Sequence, residues 1–272
     1  MKNIGIVTVL LLSFAFAKAQ KVKGNRDVTT RIIELTEFQE VSIGEDFEVS
    51  LAEGPEPKVD IATDSNLHQY INVDVIGGIL TVKTSADIRR SKRMKITVIY
   101  TPGMNKITAF EDAEISTVTN LRMDNLQVNV KDDAKVFLTG RVNNLTFNGM
   151  ADSRSECNLS GDTAQFNLTG SSDTKALVMY KQIDFMMTDR AAARMEGDAD
   201  DSSMVLEGKC SLTAEKLDLK DLKLNIKKDA EATVNVSNNI ELRASGDSKT
   251  TLYNSAKIDM VEFAGKAALM KG

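Results

Sequence analysis

A short motif of the form apolar-x-apolar-x-small returns through this chain at a nearly fixed spacing, and its plainest copy is Leu145-Thr-Phe-Asn-Gly149. The middle apolar positions read Ile107, Val128, Phe147, Phe166, Phe185, Leu206, Leu224, Leu242 and Phe263, 18 to 21 residues apart. Two places earlier, from the second copy on, stand Leu126, Leu145, Ala164, Ile183, Met204, Leu222, Ile240 and Val261. Between them the chain is mostly polar, as at Gln127 and Asn129, Thr146 and Asn148, Gln165 and Asn167. Alternation with period two marks a strand with one buried face. Its return at about the length of one coil marks a solenoid, in which each coil buries its apolar face against its neighbours. The expected fold is all-β: a β-helix-like solenoid of about nine coils over residues 105–272.

The segment ahead of the fold has a different character. Lys2 is followed by an apolar run from Ile4 to Phe16, then Ala17-Lys18-Ala19 before Gln20, the pattern of a secretory signal peptide over residues 1–19. The run is shorter than the roughly 20 apolar residues of a membrane span, and no other stretch approaches that length, so the protein is not expected to span a membrane. Export to the periplasm or cell surface follows. Removing Lys2 and Lys18 takes the formal charge from −5 to −7, a mildly acidic balance that argues against nucleic acid as a partner.

Residues 20–104 carry strand signals without the regular repeat. Phe47–Leu51, Lys58–Ala62, Ile76–Val82 and Lys95–Tyr100 alternate or run apolar, with turns at Gly54-Pro55-Glu56-Pro57 and Gly77-Gly78, and Ser65–Ile71 has room for one turn of helix. This region reads as an irregular β section covering the N-terminal end of the solenoid, where an open coil would leave backbone groups unpaired. Residues 20–272 are expected to form one structural unit. Ala214–Ala232 is rich in helix formers, but Leu217, Leu219, Leu222, Leu224 and Ile226 fit alternation better than a 3.6 period.

Phe38-x-x-Val41-x-Ile43, Phe47-x-Val49-x-Leu51, Gly78-x-Leu80-x-Val82 and Ile96-x-Val98-x-Tyr100-x-Pro102, followed by coils with Gly-Ser-Asp-like corners, resemble the head GIN domain family of exported bacterial proteins. That family carries the label "putative auto-transporter adhesin". The resemblance covers residues 30–272 and implies a β-helix-like solenoid, an exported location and an adhesive or scaffolding role. It supplies no catalytic residues. The corners Asp132-Asp133 and Lys227-Lys228-Asp229 depart from the family's Gly.

Several residue groups could carry chemistry. Asp112, Asp133, Asp152, Asp229 and Asp247 recur at one corner, where they either cap their own turns or stack as a Ca²⁺-binding column. Lys135, Arg154 and Lys249 lie two residues beyond three of these Asp and favour the first account; the corners also lack the regular glycine spacing of calcium-binding solenoids. Asn129, Asn148, Asn167 and Asn225 share an outward position suited to a hydrogen-bonded ladder. Cys157 and Cys210 fall in different coils and are expected to be free thiols, because coils stack about 4.8 Å apart and the separation exceeds disulfide reach. A lone His68 argues against a His-rich metal site and against a Ser-His-Asp triad, and no cofactor or metal is expected.

The most concentrated charge is Arg89-Arg90-Ser91-Lys92-Arg93-Met94-Lys95. Arg89, Arg90, Lys92, Arg93 and Lys95 are either a solvated loop between strands or a contact for an anionic glycan or lipid head group. The sequence contains no Trp and four Tyr, so stacking platforms for a sugar are scarce. Short corners leave little material for a catalytic cleft. The reading adopted is a non-enzymatic exported solenoid that presents an extended surface for adhesion or envelope assembly, with a protein or envelope glycan as partner. The alternatives are a secreted polysaccharide-acting enzyme and a small glycan- or lipid-binding module. The last coil, Phe263–Met270, has no polar segment after it and is expected to pair with another chain, by end-to-end dimerisation or by strand addition.

Overall fold

A computed structural model describes residues 21–272; the expected signal peptide, residues 1–19, lies outside the described residues. In chain order the first strands are β1 (Lys21–Lys23), β2 (Val28–Glu34), β3 (Glu40–Ile43), β4 (Glu48–Glu53), β5 (Lys58–Asp64), β6 (Ile71–Ile76), β7 (Ile79–Thr84), β8 (Asp87–Arg90), β9 (Met94–Tyr100), β10 (Lys106–Ala109) and β11 (Glu114–Thr117). The long strands follow: β12 (Leu121–Val130), β13 (Lys135–Gly149), β14 (Arg154–Leu168), β15 (Asp173–Asp189), β16 (Ala192–Gly208), β17 (Ser211–Lys228) and β18 (Glu231–Ala244). The series ends with β19 (Lys249–Tyr253), β20 (Lys257–Phe263) and β21 (Ala268–Lys271). The result is a β-solenoid of about nine turns.

Each long strand carries two runs of alternation separated by a polar corner. In β14, Ser155, Cys157 and Leu159 point inward, Ser160–Thr163 form the corner, and Ala164, Phe166 and Leu168 point inward again. Consecutive strands pair in parallel, so like positions stack into columns. One column reads Ile107, Val128, Phe147, Phe166, Phe185, Met204, Leu224, Leu242 and Met260. The sequence reading placed Leu206 and Phe263 in this column, and the register corrects both: Leu206 pairs with Met187 and Ile226, and Phe263 with Ala244. Met204 and Leu206 alternate equally well, and the residue that should have opened the motif in that coil is a buried serine, Ser202. At the last coil a register shift after Leu242 displaces the partner by one residue.

At the centre of the column the rings of Phe166 and Phe185 stack at 5.1 Å and 11°, with Phe147 and Phe166 at 5.6 Å and 37°. Aromatic pairs of this kind add about 0.5–1.5 kcal/mol beyond burial itself.

The main corner between coils is a four-residue turn with a left-handed second residue. The series is Glu111, Asp132, Ala151, Gly170, Asp189, Gly208, Lys228, Gly246 and Gly265, all at positive φ. Two places later comes a small buried residue, as at Ala113, Ala134, Ser153, Ser172, Ala191, Cys210, Ala230 and Ser248. Stacking leaves no room for more: a Cβ on Gly170 would lie 2.9 Å from the backbone of Ala151 in the coil before.

The N-terminal end is built out of chain order. β3 pairs in parallel with β10 and β4 with β11, so residues 40–53 make a coil that stacks directly on the regular series. β7 and β9 then stack in parallel on the outer side of β3 and β4. The end is closed by antiparallel strands: β6 on β7, β5 on β9, and β2 on β5. Reversing direction lets the sheet finish without offering another parallel rung. The apolar core is continuous from Phe38 to Leu252.

Candidate functional site

The basic segment lies at this closed end. β1 and β8 pair in parallel, with Lys21 opposite Asp87, Val22 opposite Ile88 and Lys23 opposite Arg90. The alternation in both strands turns Val22 and Ile88 to the half-buried side and leaves the bases outside. Gly24 N–H donates to the Arg90 carbonyl at 2.7 Å and fastens the end of β1 to β8. A Cβ at Gly24 would come within 2.6 Å of the carboxyl group of Asp64, so the backbone approaches that side chain as only glycine allows. Asp64 is fully buried, and its Oδ2 accepts the Lys92 N–H at 2.6 Å. Asn25 bonds Ser65 and Asn66, and its Oδ1 accepts the Asp27 N–H. These bonds hold the turn in which Arg26 adopts φ 66°.

The product is a groove of about 550 Å³ lined by Lys23, Gly24, Arg26, Arg90, Ser91 and Lys92. Of the five bases singled out in the sequence, the structure brings Arg90 and Lys92 into this groove. Arg89 is engaged with Asp87 at 2.7 Å. Arg93 is exposed in the loop beside the groove, and Lys95 is exposed on β9 opposite Ala62; neither lines it. Lys23 and Arg26 were missed, although with Lys21 they make three bases in six residues. Their proximity to Arg90 depends on a parallel pairing between residues 66 to 67 positions apart that no local signal announces.

The remaining groups resolve in other ways. At the main corner, carboxylates at the left-handed position reach back to the preceding coil. Glu111 accepts from the Glu45 N–H, Asp132 from the Glu111 N–H at 3.0 Å, and Asp189 from the Gly170 N–H at 3.2 Å. Among the described residues no group of three or more His, Cys, Asp or Glu side chains is placed to hold a metal ion. The Asn ladder forms over three coils: Asn148 donates to Asn129 at 2.9 Å and Asn167 to Asn148 at 2.8 Å. Asn225 is not part of it, because Met186 and Val205 occupy the two intervening rungs. His68 opens a single turn of 3₁₀ helix and lies 3.0 Å from Thr29 Oγ1. Both cysteines are free, as expected, and both are buried. Burial pushes the Cys157 thiol up to about 12, and burial also raises the Tyr180 phenol and, to about 12, that of Tyr100.

A second groove of about 460 Å³ crosses the outer face of β13–β16, with Phe137 and Leu177 among Glu156, Asn158, Lys175 and Arg194. Here the charges are mixed and partly paired, Lys175 with Glu156 at 3.5 Å.

These features define a β-solenoid whose end is closed by antiparallel strands and carries a cationic groove. The family model described as putative auto-transporter adhesin, head GIN domain, matches residues 37–176 and 135–256, and the chain belongs to that family. The fold is similar to a crystal structure of a putative adhesin from Parabacteroides merdae, at 18% identity over 93% of this chain and 100% of that one, TM-score 0.68. A putative adhesin from Parabacteroides distasonis matches at 15% identity over 93% and 100%, TM-score 0.64. A putative lipid binding protein from the same organism matches at 16% identity over 93% and 97%, TM-score 0.62. A search of curated proteins returns no match. Among the described residues no helix is long and apolar enough to cross a membrane.

Proposed function

We propose that this protein is an exported, non-enzymatic module whose solenoid presents an extended surface for adhesion or envelope assembly, in the periplasm or at the cell surface. The observation that carries this reading is the continuity of the core from Phe38 to Leu252, built from coils joined by four-residue corners. Such a chain makes length and flat faces, which suit contact over distance, and its membership of an adhesin family agrees. Burial also favours the protonated forms of the Cys157 thiol and the Tyr100 and Tyr180 phenols, the opposite of what activates a nucleophile.

The test is adhesion of beads coated with the protein to envelope fractions and to an array of surface polysaccharides. Attachment without change in the polysaccharide is expected; release of soluble fragments or new reducing ends would overturn the non-enzymatic reading.

The exposed side of the last coil suits a second copy of the chain. Ile258 and Met260 continue columns that are buried one coil earlier, yet they are 43% and 49% exposed, and all seven residues of β20 are open to solvent. Self-association should appear in sedimentation at about 10–100 µM, the range of modest interfaces; a monomer there rejects it.

A further inference from the structure

We propose that the groove between β1 and the β8–β9 loop is a receptor site for a phosphate or sulfate ester carried on a saccharide chain. The inference rests on the adhesion reading and names the chemistry that adhesion would use. Four cations, Lys23, Arg26, Arg90 and Lys92, line one concavity, and its other two lining residues are Gly24 and Ser91. Among the described residues none of the four forms an ion pair. Elsewhere a number of exposed bases pair from coil to coil, as in Lys181 with Asp162, Lys220 with Asp200, Lys228 with Glu207 and Lys249 with Glu231. What sets this group apart is convergence: four bases share one concavity with no carboxylate in its lining, where like charges repel and an external anion relieves them.

The groove is also held in shape before any ligand arrives. Gly24 is pressed against buried Asp64, Lys92 N–H is bonded to that carboxylate, and Lys92 Nζ lies 3.4 Å from the Arg26 carbonyl. Arg26 and Arg90 offer planar forks that match the oxygens of a phosphate or sulfate two at a time, while Lys23 and Lys92 act as point charges. The volume fits an ester group with one or two attached sugar rings. No aromatic side chain lines the groove, so recognition is by charge and not by ring stacking. A membrane plane is the poorer occupant: the exposed Ile76 and Ile79 flank the β6–β7 turn and are not part of the lining.

The experiment is titration calorimetry of the purified protein with a heparin-derived sulfated tetrasaccharide and its desulfated counterpart. Vesicles of phosphatidylcholine with phosphatidylglycerol form a third arm. Two variants are run beside the parent: Lys23→Ser with Arg90→Ser and Lys92→Ser, and a charge-matched control, Lys131→Ser with Lys209→Ser and Lys227→Ser. Thermal melts establish that both are folded. The expected result is salt-sensitive binding of the sulfated sugar, weakened about tenfold or more in the groove variant and little in the control, as loss of charge-assisted contacts requires. Equal binding of the desulfated sugar, equal loss in both variants, binding by vesicles alone, or no binding at all would each overturn the proposal. If bead adhesion survives in the groove variant, this site fails while the adhesion reading stands; if adhesion is absent in the parent, that reading fails as well.

Discussion

The regular coils and the closed N-terminal end solve the same problem in opposite ways. In β12–β18 every rung has a neighbour on each side, pairing is parallel throughout, and ion pairs such as Lys181 with Asp162 and Lys228 with Glu207 join residues about one coil apart in sequence. At the end there is no further rung. The chain reverses direction in β2, β5 and β6, abandons chain order, and turns a cluster of unpaired bases outward. The difference teaches where specificity can reside in a solenoid. Repetition lets the coils satisfy one another's backbone, and where repetition stops four bases converge on one groove.

Truncating the core should separate the two regions most clearly. Phe166→Ala removes the middle ring of the Phe147–Phe166–Phe185 stack and should cost about 3–5 kcal/mol, while Ile61→Ala in the closing strands should cost about 2–5 kcal/mol. Denaturant midpoints give the totals, and hydrogen exchange gives the location. Exchange should quicken across β13–β15 in the first variant and across β2, β5 and β9 in the second. Identical exchange maps would mean that the regions are not distinguishable in stability.

The next effect tests the closeness of stacking. Gly197 sits at φ 118°, and a Cβ there would lie 1.9 Å from the Val178 carbonyl of the coil before. Gly197→Ala should cost about 2 kcal/mol or more through backbone strain and displacement. The comparison is Gly77→Ala in the β6–β7 turn, which has a positive φ but no atom within 4 Å, and should lose less.

A smaller effect comes from the buried thiol. Burial raises the Cys157 pKa from 9.0 to about 12, so the folded state holds the proton more tightly than the unfolded one. That stability is complete below pH 9 and is lost as pH rises toward 12, at about 1.4 kcal/mol per pH unit. Unfolding midpoints at pH 7 and pH 10 should therefore differ more in the parent than in Cys157→Ala, and an unchanged difference would remove the thiol from the account. In native protein neither Cys157 nor Cys210 should react readily with a thiol reagent.

The least effect is expected from the exposed ladder of charge. Asp162 is held below the usual carboxylate range by hydrogen bonding and attraction from Lys181 in the next coil, so its contribution is present at neutral pH and falls away as pH drops through its lowered pKa. Because the pair is open to solvent, Lys181→Ala should leave the denaturant midpoint close to the parent value at physiological salt. A loss comparable to that of Gly197→Ala would show that the ladders stabilise the coils after all.

Much of this was legible in the residues themselves. Period-two alternation repeated at coil length determines a stack of parallel rungs, because only that arrangement buries every apolar stripe against a copy of itself. The same logic placed Asn129, Asn148, Asn167 and Asn225 in one ladder; the first three form it, and Asn225 is cut off from them by Met186 and Val205. It failed at Leu206, where Met204 and Leu206 satisfy the alternation equally and only hydrogen-bonded register chooses between them. The basic run 89–95 was visible as composition, but composition does not say which side chains face one another. That Arg90 and Lys92 meet Lys23 and Arg26, while Arg89 turns to Asp87 and Lys95 lies on another strand, was decided by the tertiary structure. The physical reason is range: alternation and turn residues act over a few positions, whereas the β1–β8 pairing and the seat of Gly24 on Asp64 join segments about 40 to 67 residues apart.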